Sequence, residues 1–270
     1  MGRALDADER RLFFGAQVEA PWPVQFPKGR MIPEETRHIT VAFLGQQPFS
    51  KLEPLLGSIP KPSFHIGPVG STEKIHFLPP EKSRVAALSA HWLDKDKKFD
   101  AYHKVFADWL KKNGFPIDER PFFPHITLAR APFEKEAWEK ACTPLPFFVK
   151  ALHLYESMEN LHYRSLWSLP FIPPFEEFEH TADIAFTIRG KIPQDLHLHA
   201  QIALAFHFPP LLAFFSPVLH DSLDEMIIAL NEMVGKADAE FGCPFKAVSF
   251  HGKIFEGGDY LLHWEMIVDV

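Results

Sequence analysis

Hydrophobic patterning divides the chain into two runs of elements. In the first run, alternating apolar and polar positions predict short strands over 11–15, 37–44, 123–129, 151–157 and 163–169. Apolar residues spaced three and four apart predict a helix over 82–112, and the proline-broken stretch 60–80 predicts short strands and turns. The second run predicts a strand, two helices and a strand pair: 182–189, 194–206, 221–241, 246–254 and 260–269. Mixed elements with segregated hairpins predict an α+β fold.

A proline-rich segment separates the two runs. Residues 170–174 read Pro-Phe-Ile-Pro-Pro, a sequence that neither a helix nor a central strand continues through. The chain has 270 residues, which suits two domains of about 100–200 residues each. We therefore predict one domain over 1–170 and a second over 175–270.

Charge separates the same two halves. Residues 1–170 carry 23 basic and 20 acidic side chains, whereas residues 171–270 carry 5 basic and 15 acidic ones. The net charges are thus +3 and −10, within a total of −7. The first half can tolerate a polyanion, while the second would repel one and attract cations.

The cysteine count and one apolar run bear on the compartment. Cys142 and Cys243 are too few for a disulfide framework, and the charged N-terminus lacks a signal-peptide core, so a cytoplasmic location is expected. The apolar run 201–219 contains His207 and three prolines. These residues favour a buried helix that ends in a proline-rich turn over a membrane span, so no membrane partner is expected.

The pattern His-x-Thr occurs in two of the predicted strands. One copy begins at His38 and includes Thr40; the other begins at His125 and includes Thr127. Alternation in a strand places each histidine beside its threonine on one face. The intervening apolar residues are expected on the opposite face, towards the core: Ile39, Val41, Phe43, Ile126 and Leu128.

Two such histidines suit acid–base chemistry on a phosphodiester. Imidazole has an ordinary pKa near 6.5, so it donates or accepts a proton at neutral pH. A pair flanking a phosphate can act as general acid and general base, and nearby threonine hydroxyls can hold the phosphoryl oxygens. This chemistry requires no metal. The alternative is two half-buried strands whose histidines only form hydrogen bonds.

Residues 38–45 (HITVAFLG) and 124–130 (PHITLAR) resemble the two signatures of the LigT-like two-histidine phosphoesterases. The resemblance covers about residues 10–170. It implies a bilobal fold in which the motifs face each other across a cleft, and hydrolysis of RNA 2′,3′-cyclic phosphate to a 2′-phosphate without a cofactor. It also implies that His38 donates a proton to the leaving 3′ oxygen, that His125 activates water, and that Arg130 lies near the phosphate beside Thr40 and Thr127. Residues 18–31 depart from the family, because they are proline-rich where a helix is usual.

Residues 179–183 (EHTAD), 245–252 (FKAVSFHG) and 268–270 (VDV) resemble archease, an activator of an RNA-splicing ligase. The resemblance implies a small α+β domain with that ligase as partner. It also implies a divalent cation, Ca²⁺ or Mg²⁺, on Asp183, Asp269 and Val270. From chemistry alone, these carboxylates are surface residues. The apolar segment 206–219 replaces strands that the family usually has between its two helices.

The sequence therefore predicts an RNA-processing enzyme, a cyclic phosphodiesterase fused to an archease-like ligase activator. Two alternatives stay open for the first domain: a non-catalytic protein that binds RNA ends and assists a ligase, and a 2′–5′ RNA ligase. The phenylalanines are expected mainly in the core. Phe122 and Phe123, beside the His125 strand, also offer a stacking surface for a base.

Overall fold

A computed structural model describes residues 8–179 and 183–270. In this part of the chain the strands are β1 (Glu9–Glu19), β2 (Arg30–Met31), β3 (His38–Pro48), β4 (Val69–Leu78), β5 (Val85–Trp92), β6 (His125–Arg130), β7 (Pro146–Ser157), β8 (Tyr163–Pro170), β9 (Phe175–Phe178), β10 (Ile184–Gly190), β11 (Ala247–Glu256) and β12 (Leu262–Asp269). The helices are α1 (Phe49–Leu52), α2 (Lys98–Lys112), α3 (Lys135–Ala141), α4 (Pro193–His207) and α5 (Leu223–Phe241). Short 3-10 helices cover Glu34–Thr36, Glu53–Ser58, Glu159–Leu161 and Pro209–Phe214.

Strands β1 to β8 form one sheet whose hydrogen-bonded path closes on itself. The order runs β1-β3-β6-β5-β4-β7-β8, and β7 also pairs with β1, so six strands form a ring. Among the described residues, the two halves of this ring meet on one side through one residue pair between β3 and β6, Ile39 with Ile126. On the other side they meet through three pairs between β4 and β7. The ring therefore has a narrow seam at the place where the two His-x-Thr motifs lie.

Strand β1 shows how sequence alternation sets the two faces of this sheet. Its even-numbered residues from Leu12 to Val18 are buried in the core. Its odd-numbered residues, among them Phe13, Gly15 and Gln17, therefore point to the opposite face. Gln17 pairs with His38 on β3, so this second face carries the histidine motifs.

The predicted helix over 82–112 is wrong in its first half. Residues Val85–Trp92 form strand β5, and the helix begins only at Lys98. Strand β5 is paired on both sides, with β4 and with β6, and most of its side chains are buried. Its run of small apolar residues suits a strand covered on both faces, a pattern that a short window does not distinguish from a buried helix.

Phe43 does not face the core as the alternation predicts. It is 51% exposed, whereas Leu44 is buried. The pairing of β3 with β1 slips here, because Leu12 pairs with Gly45 while Phe13 pairs with Phe43. Gly45 adopts a φ of +74°, a left-handed conformation that favours glycine and is typical of a β-bulge. The extra residue of the bulge reverses the alternation after Ala42.

The second sheet has the order β11-β12-β10-β9 and lies under α4 and α5. Its strands all fall between Phe175 and Asp269, and those of the first sheet fall between Glu9 and Pro170. Both predicted helices are present, at Pro193–His207 and Leu223–Phe241. Within the described residues, no helix has the length and apolarity needed to cross a membrane.

An aromatic cluster joins the two sheets. Phe148 of β7 lies against Phe175 of β9 and Phe206 of α4, with ring centroids 5.6 and 5.5 Å apart. Leu198 and Ile202 of α4 pack into the same cluster. Several of the many phenylalanines thus join the two halves of the chain, in agreement with the predicted core role.

Candidate active site

The seam between β3 and β6 brings the two His-x-Thr motifs together. Because Ile39 pairs with Ile126 in antiparallel register, His38 lies opposite Thr127, and Thr40 lies opposite His125. Ile39 and Ile126 are fully buried, so the four polar side chains lie on the other face. Residues diagonal to each other across such a pair lie about 7–8 Å apart, with their Cβ atoms somewhat closer. The two histidines are therefore diagonal partners across the seam.

Both imidazoles are held in the same way. Nδ1 of His38 lies 2.7 Å from the carbonyl oxygen of Thr36, and Nδ1 of His125 lies 2.8 Å from that of Phe123. A carbonyl oxygen only accepts, so each Nδ1 carries a hydrogen and donates it. In the neutral ring, Nε2 then holds the lone pair. Each histidine thus has one nitrogen fixed by the backbone two residues earlier and the other available for proton transfer.

The surroundings of the two rings differ. His38 is 8% exposed and is packed against Phe13, Tyr155 and Tyr163, with ring centroids 4.9, 5.4 and 5.3 Å away. His125 is partly exposed and stacks on Phe123, which is itself 45% exposed. One imidazole is therefore enclosed, and the other lies at the rim.

Burial lowers the pKa of His38 to about 4. The hydrogen bond to Thr36 opposes this shift, while the charges of His125, His153 and Arg130 add to it. In the protein without a bound anion, His38 is consequently neutral at pH 7. An anion beside the ring would favour the protonated form and raise this pKa.

Arg130 extends the site along β6. Its charge acts on His38, and its Nε is buried without a hydrogen-bond partner among the described residues. Thr40 and Thr127 are half-buried on the motif face. An unpartnered guanidinium nitrogen and two hydroxyls near a pair of imidazoles form a set of donors suited to an oxyanion.

His153 is a third histidine on this face, which the sequence analysis missed. Gln17 donates from Nε2 to the carbonyl of Glu35 at 2.7 Å, so its Oε1 accepts from Nε2 of His153 at 3.1 Å. Burial lowers the pKa of His153, and its Nδ1 lies 2.9 Å from the Ser165 hydroxyl oxygen. Alternation on β7 was the available signal, because His153 lies between the buried Leu152 and Leu154.

The residues predicted to hold a metal lie in the second sheet. Ile184 pairs with Val268, so the register places Asp183 opposite Asp269. Lys246 already contacts this end of the sheet: its Nζ is 3.7 Å from Asp269 Oδ1 and donates to the main-chain oxygen of Val270. Within the described residues, no three His, Cys, Asp or Glu side chains are arranged to hold a metal ion. Asp183 and Asp269 thus lie at the same end of the sheet, next to Val270; His180 and Thr181 of the same motif lie outside the described residues.

The three histidines of α4 each form a hydrogen bond within the second half of the chain. His197 is buried, and its Nδ1 accepts from the backbone N–H of His220 at 3.0 Å. His199 is also buried and donates from Nδ1 to the carbonyl of Arg189. His207 contacts Glu177 at 2.9 Å.

No protein-family model and no curated protein sequence matches the chain. Among solved structures it is similar to a phosphoesterase, with 23% identity, 60% of this chain and 98% of the other covered, and a TM-score of 0.44. It is also similar to E. coli LigT complexed with 3′-AMP, at 23% identity, the same coverage and a TM-score of 0.43. A third is a protein of Thermus thermophilus, at 21% identity, with 60% and 97% covered and a TM-score of 0.41.

Proposed function

We propose that the unit containing β1 to β8 is a phosphodiesterase that opens RNA 2′,3′-cyclic phosphate and leaves a 2′-phosphate. One observation carries this proposal. His38 and His125 are diagonal partners across the seam, and each Nδ1 is fixed by a backbone carbonyl. This arrangement leaves two Nε2 atoms on one face, with a threonine opposite each histidine, as acid–base attack on a phosphorus between them requires.

The reaction breaks the bond between phosphorus and the 3′ oxygen while water forms a new bond to phosphorus. One imidazole accepts the proton of water, and the other gives a proton to the departing oxygen. The hydroxyls of Thr40 and Thr127 donate to the non-bridging oxygens, and the Arg130 guanidinium balances the charge that develops on them. Protons and charge balance across the pair, so no metal or other cofactor enters the step.

The resemblance assigns proton donation to His38 and activation of water to His125. With a pKa of about 4 in the free protein, His38 must gain its proton when the substrate anion binds. A negative charge about 4 Å away contributes on the order of several kcal/mol in a partly buried site, enough to reverse a shift of this size. Substrate binding and protonation of His38 are thus linked.

The test is hydrolysis of an oligoribonucleotide with a 2′,3′-cyclic phosphate end by purified protein in the presence of EDTA. We expect the mass of one water to be added and the phosphate to stay on the 2′ oxygen. His38→Ala and His125→Ala should each lower kcat by about 10²–10⁴-fold, the range typical of general acid–base groups. His207→Ala, a histidine change on α4, is the matched control and should leave kcat unchanged.

Three outcomes would contradict the proposal. Tight binding of the cyclic end without turnover would favour the non-catalytic RNA-end-binding protein. A product joined through a 2′–5′ bond, formed when a 5′-hydroxyl RNA is added and not matched by hydrolysis, would favour the ligase. Full activity in His125→Ala would show that the two motifs do not form the active site.

For the second sheet, we propose the archease-like role of assisting an RNA-splicing ligase, with Ca²⁺ or Mg²⁺ near Asp183, Asp269 and Val270. The cross-strand register of Asp183 with Asp269 and the excess of acidic residues support it. Lys246 opposes it, because its ammonium group already contacts two of the three residues. Calorimetric titration with each cation should show saturable binding that Asp269→Asn abolishes and Lys246→Met strengthens. If neither the wild type nor Lys246→Met releases or takes up heat on titration, the protein does not bind the cation. Co-purification with an RNA-splicing ligase tests the partner separately.

A further inference from the structure

A cavity of about 460 Å³ lies between the two halves of the chain. Residues 63–69 and the first turn of α2 line one side, and the first two turns of α4 line the other. Its lining includes none of the residues of the histidine site. Its volume is in the range of small-molecule sites, which occur preferentially at interfaces between domains.

Much of the cavity wall is apolar. Phe64 and Val69 come from the first half of the chain, and Leu198 and Leu261 come from the second. Phe64, Val69 and Leu198 are themselves buried, so this part of the wall belongs to packed structure. An occupant with an apolar body would gain free energy by leaving water for this surface.

His199 supplies a polar group that faces the cavity without a partner. It is 6% exposed, and it lines the cavity from α4. Because Nδ1 donates to the carbonyl of Arg189, the neutral ring keeps its lone pair on Nε2. Among the described residues, Nε2 has no hydrogen-bond partner. Burial lowers the pKa of this histidine, although the hydrogen bond to Arg189 and the charge of Asp195 oppose the shift, so Nε2 of the neutral ring can accept a hydrogen bond.

The charged side chains around the cavity also favour an occupant that donates hydrogen bonds and carries a positive charge. Its lining includes three carboxylates, of Asp94, Asp96 and Asp195, against the ammonium groups of Lys98 and Lys191. Lys98 Nζ is 3.7 Å from Asp195 Oδ1, and its charge also acts on Asp94, whose pKa is nevertheless raised by burial. Oδ2 of Asp94 accepts the backbone N–H of Lys98, while Oδ1 is buried with no partner among the described residues. A positive charge in the cavity would stabilise this carboxylate.

We propose that the cavity binds a small organic cation, an ammonium group on an apolar body, which donates a hydrogen bond to His199 Nε2 in the field of Asp94. The same features disfavour an anion, which would face three carboxylates. A metal ion is also disfavoured, since no three ligating side chains among the described residues are arranged for one. The site lies apart from the histidine pair and does not depend on the proposed reaction.

Three indole compounds of similar size test the preference for a cation: tryptamine, neutral tryptophol and anionic indole-3-acetate. Calorimetry on the full chain should give a Kd for tryptamine at least about tenfold below that for tryptophol, with no saturable binding of indole-3-acetate. In ¹⁵N-labelled protein, tryptamine should shift the amide signals of Gly67 and Ala101. Equal affinity for all three compounds, or no binding of tryptamine, would overturn the proposal.

Two variants test the place of binding. Ala101 is exposed and lines the cavity from α2, so Ala101→Trp should block it and raise the Kd for tryptamine at least about tenfold. Val105→Trp, one turn further along α2 at a position 54% exposed and outside the lining, should leave the Kd unchanged. His199→Asn keeps an amide donor for the Arg189 carbonyl but lacks the outer nitrogen, and should also weaken binding. An unchanged Kd in Ala101→Trp would refute the site even if His199→Asn fails to fold.

Discussion

Gly15 leaves the space in which the His38 ring lies. A Cβ at Gly15 would be 2.9 Å from Cδ2 and 3.1 Å from Cγ of His38, and 3.2 Å from Cδ2 of Tyr155. Real Cβ atoms hardly ever approach other atoms below 3.0 Å. The orientation of a candidate catalytic histidine on β3 thus depends on the absence of a side chain on β1.

Gly15→Ala should therefore displace the His38 imidazole. The ring has little room to move, since Phe13, Tyr155 and Tyr163 enclose it. We expect kcat/KM on a cyclic phosphate to fall at least about tenfold, and the free energy of unfolding to fall by about 1–3 kcal/mol, as in overpacked sites. Gly57→Ala is the control, because its Cβ would meet nothing within 4 Å. Wild-type kinetics in Gly15→Ala would show that the ring position is not critical.

Arg130→Met should both weaken the binding of sulfate and raise the pKa of His38. Removing the guanidinium should raise the Kd for sulfate about tenfold, a loss of about 1.4 kcal/mol, and should raise the pKa of His38, since the charge of Arg130 lowers it. Calorimetry gives the first quantity and an NMR titration of the imidazole the second. Lys112→Met, which removes an exposed charge at the end of α2, should change neither. A His38 pKa that stays constant in Arg130→Met would place Arg130 too far away to act.

Sulfate should bind more tightly as the pH falls from 7 towards 5. His38 is neutral in the free protein over this range, and a bound anion favours its protonated form, so binding takes up a proton. Sulfate does not itself titrate here, so the pH dependence reports on the protein. The expected slope is up to about one decade in Kd per pH unit when one full proton is taken up. His38→Asn should flatten the slope, and an equally steep slope in that variant would assign the proton to another group.

Stability should decrease as the pH falls from about 6.5 towards 4. His38 and His197 both have a pKa lowered by burial to about 4, whereas an unfolded histidine titrates near 6.5. Between these values the unfolded chain binds more protons, so the free energy of unfolding falls by up to about 1.4 kcal/mol per pH unit for each histidine. Urea unfolding at pH 7, 6 and 5 measures the slope. In His197→Asn the amide oxygen can still accept from the His220 N–H. This variant should reduce the slope by the contribution of one histidine, up to about 1.4 kcal/mol per pH unit.

Ile202→Ala should loosen the junction between the two sheets. Ile202 is fully buried in the cluster that contains Val69 of β4 and Phe148 of β7. Truncation of such a side chain costs about 2–5 kcal/mol. In calorimetry we expect one unfolding transition for the wild type and two for the variant. Two transitions already present in the wild type would show that the cluster does not couple the halves.

The sequence by itself determined the features that depend on local pattern. Alternation identified the motif strands, helical spacing identified α4 and α5, and the two His-x-Thr copies identified His38 and His125 as candidates. Their threonines followed from the same alternation, because a strand places residues two apart on one face. The histidine and the prolines of the run 201–219 likewise favoured a buried helix over a membrane span.

Only the tertiary structure decided what depends on contacts between distant segments. Pairing with β1 produces the bulge at Gly45 that exposes Phe43. Pairing with β6 makes residues 85–92 a strand. The pairing of Gly15 with His153 and the contact of Lys246 with Asp269 likewise join residues that are far apart in the chain. The lowered pKa of His38 is decided in the same way, because burial among rings from three strands cannot be read from the four residues of its motif.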